Sequence, residues 1–566
     1  MSSDKRFSRR QLLLSSASAL VISGSARARP LPRNPLAKVS SAPDLVTAYA
    51  EDGSIPLQRN GSRWQGRDVE VQTTPRGSGE LAVRLLSPRS AILRIHLRWQ
   101  VEAAASWRYL GDHWERSYGD LAWRSLEPER VMPWYFLAFD GGSTVACGVK
   151  TAPSAFCFWQ ADPAGVSLWL DVRNGGSGLR LGKRELPLAS VVAEFYPDTK
   201  PFVAAKSFCR RLCETPRLPA APVYGGNNWY YAYGHSSAAD IRDDSERISS
   251  LAASRENRPF MVIDDGWSPN ATAGPWSHGN ARFPDMAQLS SAMRLIGVQP
   301  GLWVRPLFTK EEIPPGWRLL SPNSAREYST HQAYTLDPTV PEALEQIRED
   351  FRRAVSCGYE LIKHDFSTYD LLGRWGSSMG AVVTDPDWHF ADRSRTNAEI
   401  IRDFYGALRE AAGSALLLGC NTVGHIGAGV FEIQRSGDDT SGRDWNRTRK
   451  MGVNTLAFRA PQHGTFFAID ADCVGLTKQV PWSFNRQWLD LLAQSGTPLF
   501  VSAAPDAVGR EQRSAIQGAF AIASAPTPLA EPVDWLRNTE PQEWILRGRR
   551  VSYQWFGGEG AVPFAV

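Results

Sequence analysis

The chain has 566 residues, of which 43% are hydrophobic and 22% are charged, which is typical of a globular protein with a large buried core and predicts roughly two to four domains. Its formal net charge is only +4, and its Lys and Arg residues are interspersed with acidic ones, so composition argues against a nucleic-acid partner. The 21 Trp, 15 Tyr and 24 Phe residues are typical of proteins that handle sugars.

The first 30 residues resemble a twin-arginine (Tat) export signal. Arg9 and Arg10 precede a modest apolar run that ends at Ile22, and Ala26 and Ala28 then form an A-x-A cleavage pattern. An N-terminal membrane anchor is the alternative, although the run is short and rich in Ser and Ala. No later stretch reaches about 18 uninterrupted apolar residues. We therefore expect a periplasmic or secreted protein whose mature form has no membrane span.

Residues 40–215 are predicted to form a β-sandwich domain. Stretches of alternating apolar and polar residues, such as AILRIHLRW, WYFLAF and VSLWLDVR, are separated by Gly, Pro and Asp clusters, as in antiparallel strands. A helical stretch, FVAAKSFCRRLCE, follows, and the prolines between Pro219 and Pro222 mark a domain boundary.

Residues 222–505 are predicted to form a (β/α)8 TIM barrel, because eight short apolar segments alternate with helical patterns such as VPEALEQIREDFRRAVSCG. Residues 506–566 contain QEWILRGRRVSYQWFGG and predict a small C-terminal β domain. The predicted fold is thus a multidomain α/β protein with a central TIM barrel. The eight strand candidates are VYGGNNWY, PFMVIDDGW, QPGLWVRPL, YELIKHDF, ALLLGCN, FEIQRSGDD, GTFFAIDAD and TPLFVSA.

The sequence predicts no metal and no nucleotide cofactor. The nine His residues form no H-E-x-x-H motif, and no phosphate-binding glycine motif follows a strand. The seven Cys residues are odd in number and irregularly spaced, so they indicate neither a disulfide framework nor a zinc site.

Most of the eight strand candidates end in polar or charged residues. The carboxyl ends of all barrel strands face one mouth, where TIM-barrel active sites are built, so these side chains should converge. Taken singly, each such Asp could be a helix N-cap and each cation its partner. Their recurrence on several strands favours a site. They are Asn227, Asn228, Trp229, Asp264, Asp265, Arg305, Lys363, Asp365, Cys420, Asn421, Arg435, Asp439, Asp470 and Asp472.

Two carboxylates suffice to cleave a glycosidic bond, one to protonate the leaving oxygen and one to attack the anomeric carbon or activate water. Asp365 lies two residues after Lys363, so an extended strand places both side chains on one face. A nearby cation favours the ionised carboxylate that a nucleophile requires.

A family resemblance extends over nearly the whole predicted barrel. The motifs VIDDGW, GLWVRPL, YTLDPTVPEALEQIREDFRRAVSCGYELIKHDF, LLGCN and RSGDD, in this order and spacing, resemble the α-galactosidases (melibiases) of glycoside hydrolase clan D, families 27 and 36. The resemblance implies that Asp365, in the K-x-D motif, is the nucleophile. It also implies that Asp439, four residues after Arg435, is the acid/base, with the adjacent Asp438 as its rival.

The same resemblance implies the sugar contacts. Asp264 and Asp265 would accept hydrogen bonds from O4 and O6 of the sugar, and Lys363 and Arg435 would donate to ring hydroxyls. Trp229 would offer an aromatic face to the sugar, with core packing as an equal alternative. Two further substrate-binding residues are implied, Trp303 and Cys420, the latter in a turn near O2; a buried strand cysteine is the alternative for Cys420.

The sequence therefore predicts a retaining, exo-acting α-galactosidase of carbohydrate metabolism, acting on oligosaccharides or polysaccharides with terminal α-galactose. A β-L-arabinopyranosidase or a galactosyl transferase on the same barrel are the alternatives, and a non-catalytic carbohydrate-binding protein is a third. The motif WVRPL departs from the family, because many family 36 enzymes carry acidic residues where this chain has Arg305. Residues 371–395 look like an insertion after the fourth strand, and the C-terminal domain is short.

Overall fold

The structure is a computed structural model that describes residues 36–77, 79–252, 254 and 256–561. The predicted export signal, in residues 1–30, lies outside these residues and stays a prediction. Within the described ranges, no helix combines the length and apolar character needed to cross a membrane.

The region from Leu45 to Tyr196 forms an antiparallel sheet. Its thirteen strands hydrogen-bond in the order β7-β9-β10-β13-β5-β4-β3-β2-β1-β6-β12-β11-β8. The predicted stretches AILRIHLRW, WYFLAF and VSLWLDVR supply β6, β9 and β12. The strands are β1 (Leu45–Ala50), β2 (Gly53–Asn60), β3 (Arg63–Gly66), β4 (Val69–Arg76), β5 (Glu80–Leu86), β6 (Ile92–Trp99), β7 (Arg108–Gly111), β8 (Met132–Pro133), β9 (Tyr135–Phe139), β10 (Thr144–Val149), β11 (Phe156–Asp162), β12 (Gly165–Asp171) and β13 (Leu186–Tyr196).

One strand connects the two halves of this antiparallel sheet. Residues 53–57 of β2 pair with β1, whereas residues 58–60 pair with β3. A strand that changes partners along its length can turn a corner between two layers of a sandwich. Side chains of the two halves meet, because the Phe136 ring of β9 lies 5.7 Å from the Trp159 ring of β11. The thirteen-stranded antiparallel sheet is therefore continuous in its hydrogen bonding through β2.

The region from Tyr224 to Ala503 is built around a parallel sheet of nine strands, in the order β22-β21-β20-β19-β16-β15-β14-β24-β23. Each of the eight predicted segments contains one of them, and β23 is additional. Beside this sheet, β17 and β18 form a two-stranded ladder. The strands are β14 (Tyr224–Asn227), β15 (Phe260–Ile263), β16 (Gln299–Val304), β17 (Phe308–Thr309), β18 (Tyr334–Thr335), β19 (Leu361–His364), β20 (Leu416–Gly419), β21 (Ile433–Arg435), β22 (Ala468–Asp470), β23 (Cys473–Leu476) and β24 (Leu499–Ala503).

The two edge strands of the parallel sheet, β22 and β23, are almost consecutive in the chain. Only Ala471 and Asp472 separate them, and Asp472 has a left-handed backbone with φ of 70°. A non-glycine residue in this region bends the chain at an energetic cost, so its carboxylate contacts must hold it there. The two ends of the nine-strand order are thus one short stretch of chain.

Helices separate the parallel strands. As predicted, the amphipathic segment after Val340 is helical, and it buries Ala343, Ile347, Phe351 and Ala354 at three- and four-residue spacing. The helices are α1 (Pro201–Leu212), α2 (Trp229–Ala232), α3 (Ala238–Leu251), α4 (Met286–Ile296), α5 (Pro322–His331), α6 (Pro341–Ser356), α7 (Ser367–Leu372), α8 (Asn397–Ala411), α9 (Gly424–Gly427), α10 (Trp445–Thr448), α11 (Thr455–Arg459), α12 (Trp482–Gln494) and α13 (Arg510–Ala523).

The C-terminal part is small, as predicted. Three antiparallel strands form its sheet: β25 (Glu531–Pro532), β26 (Glu543–Leu546) and β27 (Arg549–Ser552). Its Trp544 and Trp555 are fully buried. The structure therefore contains a large antiparallel sheet, a parallel sheet with helices and a small C-terminal sheet.

Candidate active site

Side chains from β15 and β19 meet at the carboxyl ends of these strands. The Lys363 ammonium donates to Asp264 Oδ2 at 2.8 Å, and Asn227 Nδ2 donates to the same oxygen at 2.7 Å. The backbone N–H of Asp265 donates to the other oxygen, Asp264 Oδ1, at 2.9 Å. These residues are buried, so the ion pair is shielded from solvent. Convergence at the strand ends, as the sequence analysis expects, brings these predicted residues into one cluster.

Asp365 follows β19 and is held as a carboxylate. Phe366 N–H donates to Oδ1 at 2.7 Å, Trp303 Nε1 donates to Oδ2 at 3.1 Å, and the Asn421 side chain donates to Oδ1. Burial would raise the pKa of Asp365, but the charges of Lys363 and Arg116 and these hydrogen bonds outweigh it and lower the pKa to about 2. The carboxyl is therefore ionised throughout the neutral range.

Asp265 has the opposite electrostatic environment, although it adjoins Asp264. It accepts a hydrogen bond from Gly266 N–H at 2.6 Å, and its side chain pairs with no cation among the described residues. Burial, followed by the negative charge of Asp264, raises the pKa of Asp265 to about 7. Near neutral pH this carboxyl can therefore both donate and accept a hydrogen bond.

The raised pKa of Asp265 predicts a pH-dependent stability difference. Since the carboxyl ionises near pH 4 when unfolded and near pH 7 when folded, its contribution is present below about pH 4 and is lost as pH rises to about 7. We expect Asp265→Asn to gain stability relative to the native protein between pH 4 and pH 8. Denaturant unfolding at both pH values measures this, with the exposed Asp403→Asn as control. A constant difference across this range would contradict the prediction.

The two adjacent aspartates after β21 have different surroundings. Asp438 lies between two arginines, with Arg116 Nη2 2.6 Å from Oδ1 and Arg447 Nη2 2.7 Å from Oδ2. Asp439 makes longer contacts, to Arg435 at 3.2 Å and Arg116 at 3.5 Å, both through Oδ1, and 39% of its side chain is exposed. Burial outweighs the two arginines and raises the pKa of Asp439. Asp439 therefore combines an accessible carboxyl with a raised pKa.

Arg435 is buried and contacts several side chains around Asp439. Its side chain is 1% exposed, and Nη2 lies 2.9 Å from Asp472 Oδ2 and 3.2 Å from Asp439 Oδ1. Its Nη1 lies 3.5 Å from Cys420 Sγ. Asp472 also accepts hydrogen bonds from the Tyr230 hydroxyl and from Thr440. Arg435 thus anchors the residues around Asp439, and Cys420 is fully buried against it.

The two predicted tryptophans occupy different positions. Trp303, at the end of β16, is 2% exposed and donates its indole N–H to Asp365. Trp229 begins α2 and is only half-buried, with its ring 5.6 Å from that of Tyr233. Trp229 is therefore partly exposed, whereas Trp303 is enclosed and hydrogen-bonded to Asp365.

Arg305, the departure noted in WVRPL, has a buried partner. Its guanidinium forms several hydrogen bonds with Asp370 of α7, including one of 2.5 Å from Nη2, and lies 3.7 Å from the Phe308 ring centroid and 4.3 Å from that of Phe366. Both charged side chains are almost fully enclosed. This pair links the loop after β16 to the helix that follows Asp365.

The sequence analysis missed Arg116. It lies between β7 and β8 in the antiparallel part of the chain, yet its guanidinium contacts both aspartates after β21. The local sequence DHWERSYGD shows no periodicity and no motif. Asn421, in contrast, was among the predicted strand-end residues, and its contact with Asp365 agrees with that position.

The described residues offer no metal site in the form of three grouped His, Cys, Asp or Glu side chains. All seven cysteines lie in the described part of the chain and have free thiols.

No protein-family model matches the chain, and no curated protein sequence matches it either. Solved structures do match. The α-galactosidase TtGalA from Thermus thermophilus, in complex with p-nitrophenyl α-D-galactopyranoside, has a TM-score of 0.57 and 17% identity, covering 90% of this chain and 99% of that one.

Two further solved α-galactosidase structures also match the chain. A variant of the GH36 α-galactosidase AgaA from Geobacillus stearothermophilus, in complex with 1-deoxygalactonojirimycin, has a TM-score of 0.62 and 13% identity, covering 89% of this chain and 79% of that one. The galactosidase domain of the α-galactosidase-sucrose kinase AgaSK has a TM-score of 0.54 and 15% identity, covering 84% and 73%. The chain thus has the fold of the GH36 α-galactosidases.

Proposed function

We propose that this protein is a retaining, exo-acting α-galactosidase of glycoside hydrolase family 36 that uses double displacement. The observation that carries the proposal is the pairing of a strongly acidic Asp365, with a pKa of about 2, with an accessible Asp439 whose pKa is raised. Glycosidases, whether retaining or inverting, need one carboxylate that stays ionised and one carboxyl that stays protonated until the bond breaks. The resemblance of the K-x-D motif at Asp365 to that of the clan D nucleophile is what favours retention.

In the first step, Asp365 attacks C1 of the sugar while Asp439 gives its proton to the glycosidic oxygen. The C1–O bond breaks, the leaving group departs as an alcohol, and a covalent β-glycosyl enzyme forms. Trp303 and Asn421 orient the attacking carboxylate through the hydrogen bonds described above. Lys363 supplies part of the positive charge that keeps it ionised.

In the second step, Asp439 acts as a base. It takes a proton from water, the water oxygen attacks C1, and the bond to Asp365 breaks, which releases the sugar with its original anomeric configuration. Galactosyl transfer would differ only in the acceptor that takes the place of water.

The solved relatives suggest the substrate class. TtGalA was solved with stachyose, and a variant of AgaA was solved with raffinose. Asp264 and Asp265 would accept hydrogen bonds from the terminal sugar, and Trp229 would pack against its apolar face. We therefore propose terminal α-galactosyl groups of oligosaccharides as the substrate.

The architecture and location are part of the same proposal. Because β22 and β23 are joined by two residues, the nine-strand order is compatible with an eight-stranded barrel whose seventh strand is β22 continued as β23. The proposed domains are residues 40–215, 222–505 and 506–566, and residues 1–30 would direct export, which makes the protein periplasmic or secreted.

The proposal predicts activity on one glycoside in a panel. We expect the purified protein to cleave p-nitrophenyl α-galactoside much faster than the β-L-arabinopyranoside, α-N-acetylgalactosaminide or α-glucoside. Proton NMR of the first product should show α-galactose before mutarotation. If the arabinopyranoside were preferred, the proposed mechanism would stand but the sugar specificity would be that of a β-L-arabinopyranosidase. Formation of new galactosides when sugar acceptors are added would indicate galactosyl transfer. Failure to cleave any member would favour a binding protein.

A further inference from the structure

The strongest unassigned feature is the segment of residues 115–118, which extends from the antiparallel part of the chain to the turn of residues 436–439. Ser117 N–H donates to Ser436 C=O at 3.0 Å, and Asp438 N–H donates to Ser117 C=O at 2.9 Å. The Ser117 hydroxyl also donates to Ser436 C=O at 3.1 Å. Ser117 and Gly437 thus pair as in a parallel strand. The backbone of the turn is fixed by this segment.

The position of the Arg116 side chain follows from this backbone pairing. Since Ser117 is held against the turn, the preceding side chain is directed at both aspartates, 2.6 Å from Asp438 and 3.5 Å from Asp439. Its side chain is only 7% exposed, so its charge is poorly screened by solvent. The shorter contact engages Asp438, and the longer one leaves Asp439 free to exchange a proton.

We propose that Arg116 is a positioning residue that selects Asp439, rather than Asp438, as the acid/base by fixing Asp438 in an ion pair and orienting the turn. The proposal rests on the proposed function, because it concerns the proton donor of the same reaction. Arg447 completes the fixation of Asp438 from the other side. The antiparallel part of the chain therefore contributes to proton transfer through the turn that carries Asp439.

Substrates with two different leaving groups distinguish a positioning role of Arg116 from a purely structural one. The sucrose group of raffinose needs a proton to depart, whereas p-nitrophenolate leaves without one, and kcat/KM for both substrates reports the first step. In Arg116→Met we expect kcat/KM to fall by about 100-fold or more for raffinose but by less than about 10-fold for p-nitrophenyl α-galactoside, because Lys363 and the hydrogen bonds to Asp365 still favour its ionised form. An equal fall for both substrates, or no fall, would overturn the proposal.

Two variants complete the test. Arg116→Lys keeps the charge but cannot span two carboxylates, so we expect it to recover part of the raffinose activity and to provide the comparison if Arg116→Met does not fold. Arg173→Met is the matched control, because it removes a buried ion pair with Asp171 of β12, at 2.5 Å, and has no contact with the turn of residues 436–439. We expect the control to affect both substrates equally.

Crystal structures of the native protein and Arg116→Met make the test independent of activity. If the native protein cleaves no glycoside, the proposed function fails, but the inference still predicts that the variant loses the fixed orientation of Asp438 and Asp439. An unchanged turn in the variant would overturn the inference. If another glycoside is cleaved, the same comparison applies with its alkyl and p-nitrophenyl forms.

Discussion

Asp365→Asn should lower kcat on p-nitrophenyl α-galactoside by at least about 10⁴-fold, because the amide cannot form the covalent intermediate. The substitution keeps the shape of the side chain, so the neighbouring Trp303 and Asn421 should stay in place. Steady-state kinetics and a thermal melt together measure the loss of activity and the retained fold.

The control for this prediction is Asp403→Asn, the same chemical change at an exposed position of α8. We expect it to keep native activity. In Asp365→Gly, added azide should restore turnover and give β-galactosyl azide, since azide then attacks C1 from the face that the carboxylate occupied. An Asp365→Asn protein with more than about one per cent of native activity would exclude Asp365 as the nucleophile.

The second large effect is expected at Asp439. Asp439→Asn should lower kcat/KM for raffinose by about 10²- to 10⁴-fold, because the departing alcohol then receives no proton. For p-nitrophenyl α-galactoside the fall in kcat/KM should be much smaller. Measurement of both substrates over the same pH range tests this difference.

Asp438→Asn is the matched comparison, because the two residues are adjacent. We expect it to lower raffinose activity by less than about 10-fold, because the amide oxygen can still accept a hydrogen bond from Arg116 and so keep the orientation of the turn. Its main effect should be a lower free energy of unfolding, since Arg116 and Arg447 would lose a buried partner. If Asp438→Asn lost more activity than Asp439→Asn, the acid/base role would belong to Asp438.

The strands of the parallel sheet could be predicted because each is a short apolar segment between turn residues. That information is local, and all eight segments contain a strand. The break between β22 and β23 could not be predicted. It depends on Asp472, whose left-handed backbone is accompanied by contacts to Arg435 and Thr440 that come from other parts of the chain.

The candidate site was predictable only where it lies at strand ends. Lys363 and Asp365 share a face because of strand geometry, and the resemblance then suggests their roles. The contact of Arg435 with sugar hydroxyls stays a prediction. Its 1% exposure reflects enclosure by Cys420, Asp439 and Asp472, which no local pattern encodes. Arg116 was missed for the same reason.

The pairing of Ser117 with the turn after β21 has a consequence for folding. The hydrogen bond from its hydroxyl to Ser436 joins residues 319 positions apart. Closing so long a loop costs chain entropy, and contacts of high sequence separation form slowly. The turn that carries Asp438 and Asp439 therefore reaches its final geometry only after both the antiparallel and the parallel parts have formed and met. Catalytic competence would then be among the last properties that the folding chain acquires.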